Sequence, residues 1–219
     1  MNTSVPVTVF GGPTALIEYV GLRMLTDPTF DAPGDYELGL GLVLTKTAPS
    51  ATSAEAVGQV DVVLLSHDQH PDNLDNSGRA YLQDVPVVLT TPSSAERLAG
   101  ELGDKVRGLA PWQATQLQGA NGATVTITSL PAQHGPQGCE PTTGEVVGFL
   151  LQAEGQPTVY VSGDNASVDV VKGIAERIGT VDVAVIFAGA ARTTFLDGAL
   201  VDVPCVSRTW SFVLYAAAR

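Results

Sequence analysis

The stretch VDVVLLSHDQHPDNLD, residues 60–75, joins an almost unbroken apolar run to a loop crowded with imidazoles and carboxylates. Residues 60–66 do not alternate between apolar and polar, which is the pattern of a strand covered on both faces. The loop that follows carries His67, Asp68, His70, Asp72 and Asp75, directly beyond the strand's C-terminal end, where loops hold functional groups on a rigid base. Pro71 disfavours helical geometry at His70, so a shaped loop is expected and not one helical face. Neutral imidazole and ionised carboxylate are the natural ligands of zinc, iron or manganese.

Outward from this stretch the chain reads as two groups of short strands with interleaved helices. Upstream, segments 5–10, 14–20 and 21–27 are rich in β-branched residues and broken by Gly-Gly-Pro at 11–13 and by Gly21, which predicts antiparallel strands with tight turns. The Pro-, Gly- and Asp-rich segment 27–36 reads as a loop that ends this sheet. Downstream, strands are expected at 86–90, 114–118, 123–130, 145–153, 157–163 and 181–189, and helices at 93–102 and 167–179. The fold expected is of the mixed α/β (α+β) class, two packed sheets flanked by helices.

Two strand ends repeat the style of the first. His134 follows the strand at 123–130, and Asp164 follows the strand at 157–163 within Ser162-Gly163-Asp164-Asn165. Taken singly, each has an ordinary reading: a histidine is usually a surface or core residue, and an aspartate after a strand is usually a turn former. Jointly they are more specific, because the chain's three histidines all lie in these loops. His67, His70 and His134 are therefore expected to share one metal site. Cys139, five residues after His134, could add a thiolate, but a plain loop cysteine is the simpler account. A Gly-x-Ser-x-Gly elbow, a Walker A loop and a Cys-x-x-Cys pair are all lacking.

Bulk properties narrow the class. Hydrophobic residues make up 44% of 219, with a mean hydropathy of +0.18, which suits a buried globular core. Eleven basic residues against 23 acidic ones give a net charge of -12, a surface that repels phosphate backbones and anionic lipid. A small-molecule substrate is expected, with no nucleic-acid or membrane partner. Two cysteines are too few for a disulfide scaffold. With no basic and apolar leader and no apolar run of spanning length, a soluble cytoplasmic protein is expected.

The order of these features resembles the metallo-β-lactamase-like hydrolases: a strand ending in a His/Asp loop, a single histidine, then Ser-Gly-Asp after another strand. GGPTALIEYVGLRMLTDPTFDAPG, residues 11–34, is similar to the start of the ascorbate-lactonase-like and phospholipase-D-like branch. The resemblance runs from about residue 5 to 195. It implies a four-layer αββα sandwich in which a metal-bound hydroxide attacks an ester, lactone, amide or phosphodiester centre. The family's His-x-His-x-Asp-His pattern is matched by residues 67–73 with one extra residue between the histidines. The resemblance then implies that His67, His70 and His134 ligate a first ion and that Asp164 is a bridging carboxylate. Asp72 would be the second-metal ligand and the general base, and Asp27 a support for the metal loops by hydrogen bonds, where its ordinary reading is the cap of a turn before Pro28.

Two departures fall on the second ion. Asn73 stands where the family has its last clustered histidine, and no histidine follows His134. One ion is expected rather than two, zinc in the first place, with manganese or iron as alternatives. Residues 1–195 are expected to form the domain. Residues 196–219, without an acid after Asp202, read either as a truncated or frame-shifted tail or as an ordinary divergent terminus. The competing reading is a non-catalytic or decayed copy that keeps the fold and binds metal or ligand without turnover.

Overall fold

A computed structural model describes residues 4–39, 41–188, 194–195 and 213–217. The chain opens with β1 (Val7–Gly11), β2 (Thr14–Tyr19) and β3 (Leu22–Thr26), followed by the hairpin β4 (Gly34–Gly39) and β5 (Leu42–Lys46). After the short α1 (Ala54–Val57) come β6 (Val62–Leu64), α2 (Asn76–Tyr81), β7 (Val88–Thr90), α3 (Pro92–Leu102) and β8 (Val106–Gly108). The second half holds β9 (Ala114–Gln118), β10 (Thr124–Pro131), α4 (Glu140–Thr143), β11 (Val147–Gln152), β12 (Val159–Val161), α5 (Val168–Ile178) and β13 (Val183–Phe187). β14 (Thr194–Phe195) and β15 (Val213–Ala217) complete the described strands.

Two six-stranded sheets result, ordered β1-β2-β3-β6-β7-β8 and β15-β13-β12-β11-β10-β9. Strand parity explains how they pack. From the first sheet Ile17, Met24, Val62, Leu64 and Leu89 enter a shared core with Ile127, Phe149, Val161 and Val185 of the second. The alternate residues Leu16, Leu25, Val63, Leu65 and Val88 pack on the other face against Leu98 and Leu102 of α3. On the far side of the second sheet, Leu130, Leu150 and Tyr160 pack against Ile174 of α5. The layers are thus helix, sheet, sheet, helix, as expected. The unalternating run 60–66 serves two cores at once.

The helices start and stop on ordinary signals. Thr91 caps α3 by accepting from Ser94 N, with Pro92 in the first turn, one residue earlier than the segment 93–102 suggested. Ser167 caps α5 and Gly179 closes it. Among the described residues no helix is long and apolar enough to cross a membrane.

The structure corrects the reading of segment 27–36 as a loop that ends the opening sheet. Its second half begins β4, which pairs with β5 from Gly34↔Lys46 to Gly39↔Leu42, and β14 joins the other edge of β5. β4 has no buried residue and β5 only Val43, so the apolar alternation that announces a strand is lacking. Polar ties hold the hairpin instead. Lys46 Nζ donates to buried Asp75 at 3.0 Å and Tyr36 OH to Asp31 at 3.1 Å. The tail segment 213–217 pairs antiparallel with β13; residues 196–212 lie outside the described residues.

β3, β6, β7 and β8 run parallel, and in the second sheet β10 and β12 share one direction. At the ends of these strands Val147 N donates across to Ser66 O at 3.2 Å. Gly163, at φ +55°, sits in this junction, and a Cβ added there would press on the Val147 carbonyl oxygen and on Ser66 Cβ. Gly163→Ala should therefore lower stability by about 2 kcal/mol or more, a fall in Tm of roughly 5 °C or more. A thermal melt within a degree of the parent would contradict this account of the junction.

Candidate metal centre

His67 leaves the end of β6 and His134 the end of β10, while His70 is turned inward by a tight loop in which Asn73 N and Leu74 N both donate to His70 O at 3.0 Å. The rings meet edge to face, centroids 4.8–5.1 Å apart. His67 Nε2 lies 2.9 Å from His70 Nδ1, which lies 3.2 Å from His134 Nε2. A tetrahedral zinc ion with bonds of ~2.0–2.1 Å separates its ligand nitrogens by about 3.4 Å. The three nitrogens are thus close to the spacing one ion needs, and they form the one such group among the described residues.

His67 and His134 are buried and His70 half-buried. Burial, reinforced by His70, His134 and the Arg97 charge, holds the pKa of His67 well below its ordinary value. Burial and the neighbouring His134 push His70 down to about 4, against the opposing pull of Asp164 and Asp68. Both rings are therefore neutral at pH 7, the form that ligates a metal.

Asp164 adds a carboxylate from the end of β12. Its Oδ2 is 3.3 Å from His134 Nε2, the residue is 3% exposed, and neither carboxylate oxygen has a hydrogen-bond donor. A buried carboxylate without donors costs several kcal/mol unless a cation meets it. The donor set is three nitrogens and a carboxylate, which fits zinc, manganese or iron. Asn165 Oδ1 accepts from Gln133 N at 3.0 Å and Ala166 N donates to Gln133 O at 2.7 Å, so the loops carrying Asp164 and His134 are laced together. Thr143 Oγ1 donates to His134 O at 2.8 Å from the other side.

The remaining candidates are placed differently. Asn73 is fully buried and its Nδ2 donates to Asp27 Oδ2 at 2.8 Å and to Ser66 Oγ at 3.4 Å. The Asn73 amide is assigned with its NH2 toward Asp27 Oδ2, which accepts from it. Oδ1, buried and without a hydrogen-bond partner, is the ligand atom left to Asn73. Asp72 sits half-buried in the same loop, outside the histidine trio. Cys139 is buried at the start of α4, also outside the trio.

Asp27 was expected behind the metal loops, and it lies there. It is fully buried, with φ +25°, and accepts from Ser66 N at 2.6 Å, Ser66 Oγ at 2.5 Å and Asn73 Nδ2. Burial pushes its carboxyl up to about 8, although the hydrogen bonds from Asn73 and Ser66 pull the other way.

Two contributors escaped sequence reasoning. Ser66, the first polar residue after an apolar run, connects Asp27 to His67, its Oγ lying 2.9 Å from His67 Nδ1. Arg97 of α3 grips Asp68 through Nε at 3.0 and 3.1 Å and through Nη2, with Ser94 Oγ donating to the same carboxylate at 2.7 Å. The i,i+3 spacing of Ser94 and Arg97 was visible, but nothing in it pointed to a loop 26 residues away.

Comparison with known proteins agrees with this architecture. N-acyl-phosphatidylethanolamine-hydrolyzing phospholipase D 1 of Caenorhabditis elegans is 27% identical over 194 residues, 84% of this chain and 53% of that protein. The chain thus spans about half the length of the curated relative it matches. The structure of a possible metal-dependent hydrolase from Veillonella parvula DSM 2008 superposes with a TM-score of 0.70 at 18% identity, covering 94% of this chain and 78% of that one. Isothiocyanate hydrolase from Delia radicum gut bacteria gives 0.66 at 21%, with 85% and 72% covered. At such identities these two likenesses show the metallo-β-lactamase fold. The model of the beta-lactamase superfamily domain matches residues 22–203, and the chain belongs to that superfamily.

Proposed function

We propose that the protein is a metal-dependent hydrolase that acts on an ester, lactone, amide or phosphodiester bond of a small molecule. The observation that carries this reading is the convergence of His67 Nε2, His70 Nδ1 and His134 Nε2 beside the donorless carboxylate of Asp164. These four residues would hold one ion, zinc by preference. Such an ion would lower the pKa of bound water to about 7 and would polarise the scissile carbonyl or phosphoryl oxygen. Asp72, in the same loop, is the carboxylate that would take the proton of the attacking water. One ion is favoured over two because Asn73 stands where the family has its last clustered histidine and no histidine follows His134. The relative that hydrolyses N-acyl-phosphatidylethanolamine makes phosphodiesters a first class to assay. The strongly acidic composition favours a small soluble substrate over an anionic membrane surface, and a cytoplasmic setting suits the reading. Residues 1–195 are taken as the domain, with 196–219 as its tail.

The absence of the family's second-ion histidines also favours a second reading, a metal-binding protein without turnover. Metal analysis followed by lactone, ester and phosphodiester substrates separates the two. The first predicts about one zinc per chain and hydrolysis of at least one substrate. Stoichiometric metal without turnover on any of them supports the second.

His67→Ala is expected to lose both bound metal and hydrolysis; full metal occupancy in this variant would remove the basis of the assignment. A further prediction concerns acid sensitivity of the metal-free protein. The folded-state pKa of His70 lies below its unfolded value, so stability is lost as pH falls through the window from about 6.5 to about 4. Between pH 7.5 and 4 the parent should lose up to ~3 kcal/mol relative to His70→Gln, a shift of about 2.5 pKa units at 1.36 kcal/mol each. Urea melts that run parallel for both proteins over this range would contradict the burial of a neutral His70.

A further inference from the structure

We propose that Arg97 is a positioning residue that fixes His70 through Asp68, an inference that rests on the metal-site reading above. The observation that carries it is the engagement of both residues between His67 and His70. An unheld spacer of that length would let the second histidine wander from the first. Asp68, its side chain only 4% exposed, accepts from Ser94 Oγ at 2.7 Å. It accepts from Arg97 Nε at 3.0 and 3.1 Å on its two oxygens, and from Arg97 Nη2 on Oδ1. Ser94 Oγ is itself oriented, accepting at 2.8 Å from Thr91 Oγ1, the cap of α3. Gln69 lays its amide over Gly144, where an added Cβ would overlap Nε2 and Cδ.

The same helix reaches the other histidine loop. Ser93 donates to Glu145 Oε2 from N at 3.2 Å and from Oγ at 2.8 Å. Glu145 follows Thr143 and Gly144, and Thr143 Oγ1 donates to His134 O. The first turns of α3 thus hold the spacer of one loop and the arm trailing His134 in the other. The His70 ring meets the other two imidazoles through Nδ1, and its carbonyl is held from downstream by Asn73 N and Leu74 N. Upstream, the hold is Asp68. A guanidinium fork fixes the direction of a carboxylate as well as its distance. Arg97 is 42% exposed and Asp68 is buried, so Arg97 closes over the carboxylate from the solvent side. Without that cover Asp68 would keep only Ser94 of these donors and would turn toward water, drawing the segment that leads to His70 with it. The Arg79–Glu101 pair makes the contrast: it is also a fork onto α3, but it is exposed on both sides and lies outside the trio.

The test reads zinc affinity of the full chain by chelator competition, with cobalt substitution to report ligand geometry. Arg97→Met and Asp68→Ala should each weaken zinc binding about 10-fold, the lower end of the usual loss when a contact behind a metal ligand is removed. The double variant should stay within about twofold of the weaker single one, because both act through one contact. The visible Co2+ bands of both single variants should differ from those of the parent. Arg79→Met, which cuts the other fork onto α3, should keep the parent's affinity and bands, and so separates the placing of His70 from a general loosening of the helix. Parent-like affinity and bands in Arg97→Met and Asp68→Ala overturn the role of Arg97 and leave the metal site standing. An equal loss in Arg79→Met, or losses that multiply to about 100-fold in the double variant, overturn the route through Asp68. A parent protein that binds no zinc overturns the metal-site reading and with it the purpose assigned to Arg97.

Discussion

A carboxyl group buried away from solvent must be satisfied by the protein, and Asp27 imposes that demand on the strand ends. Leaving it unpaired there would cost several kcal/mol, so three donors are drawn onto it, from Ser66 N, Ser66 Oγ and Asn73 Nδ2. Those contacts bind the end of β3 to the first and last parts of the His/Asp loop. His67 and His70 lie between the two anchor points, Ser66 and Asn73, and inherit their rigidity. Thr14 Oγ1 completes the hold by donating to the Asp27 carbonyl at 2.7 Å. The loop is shaped from behind, by residues outside the histidine trio.

The second sheet reaches the same place by different means. Its two contributions, His134 and Asp164, are held mainly through backbone and Asn165, with little of the side-chain network seen around Asp27. Their polar atoms face each other and the trio, short of partners. One half of the site is thus braced by hydrogen bonds and the other is left with unused donors and acceptors. That division matches a centre whose strongest interaction is with an ion.

Much of this was legible in the sequence, for identifiable reasons. The sandwich was readable because runs such as 60–66 and 181–187 are apolar on both parities, a pattern that only a doubly covered strand needs. The histidine trio was readable because each member follows a buried strand and none is spent elsewhere. The β4–β5 hairpin was not, since almost all of its residues are exposed and its ties are polar contacts to Asp31 and Asp75. The role of Asn73 was half legible. Its place in the motif marked it as a departure, but its partner Asp27 is 46 residues earlier, and spacing carries no information about direction. Asp68 looked like another ligand-type acid in the loop; its engagement by Arg97 depends on how α3 lies over β6 and β7.

β6 is only three residues long, yet it supplies residues to both cores and delivers Ser66 and His67 at its end. Chain-length change within it is therefore closed to evolution in a way that substitution is not. Losing or gaining one residue would exchange the two faces of the strand and carry the serine and histidine to the wrong side of the sheet together. Fold and chemistry share one reading frame here. Divergence is left to places that can vary without shifting that frame, such as the polar-tethered β4–β5 hairpin.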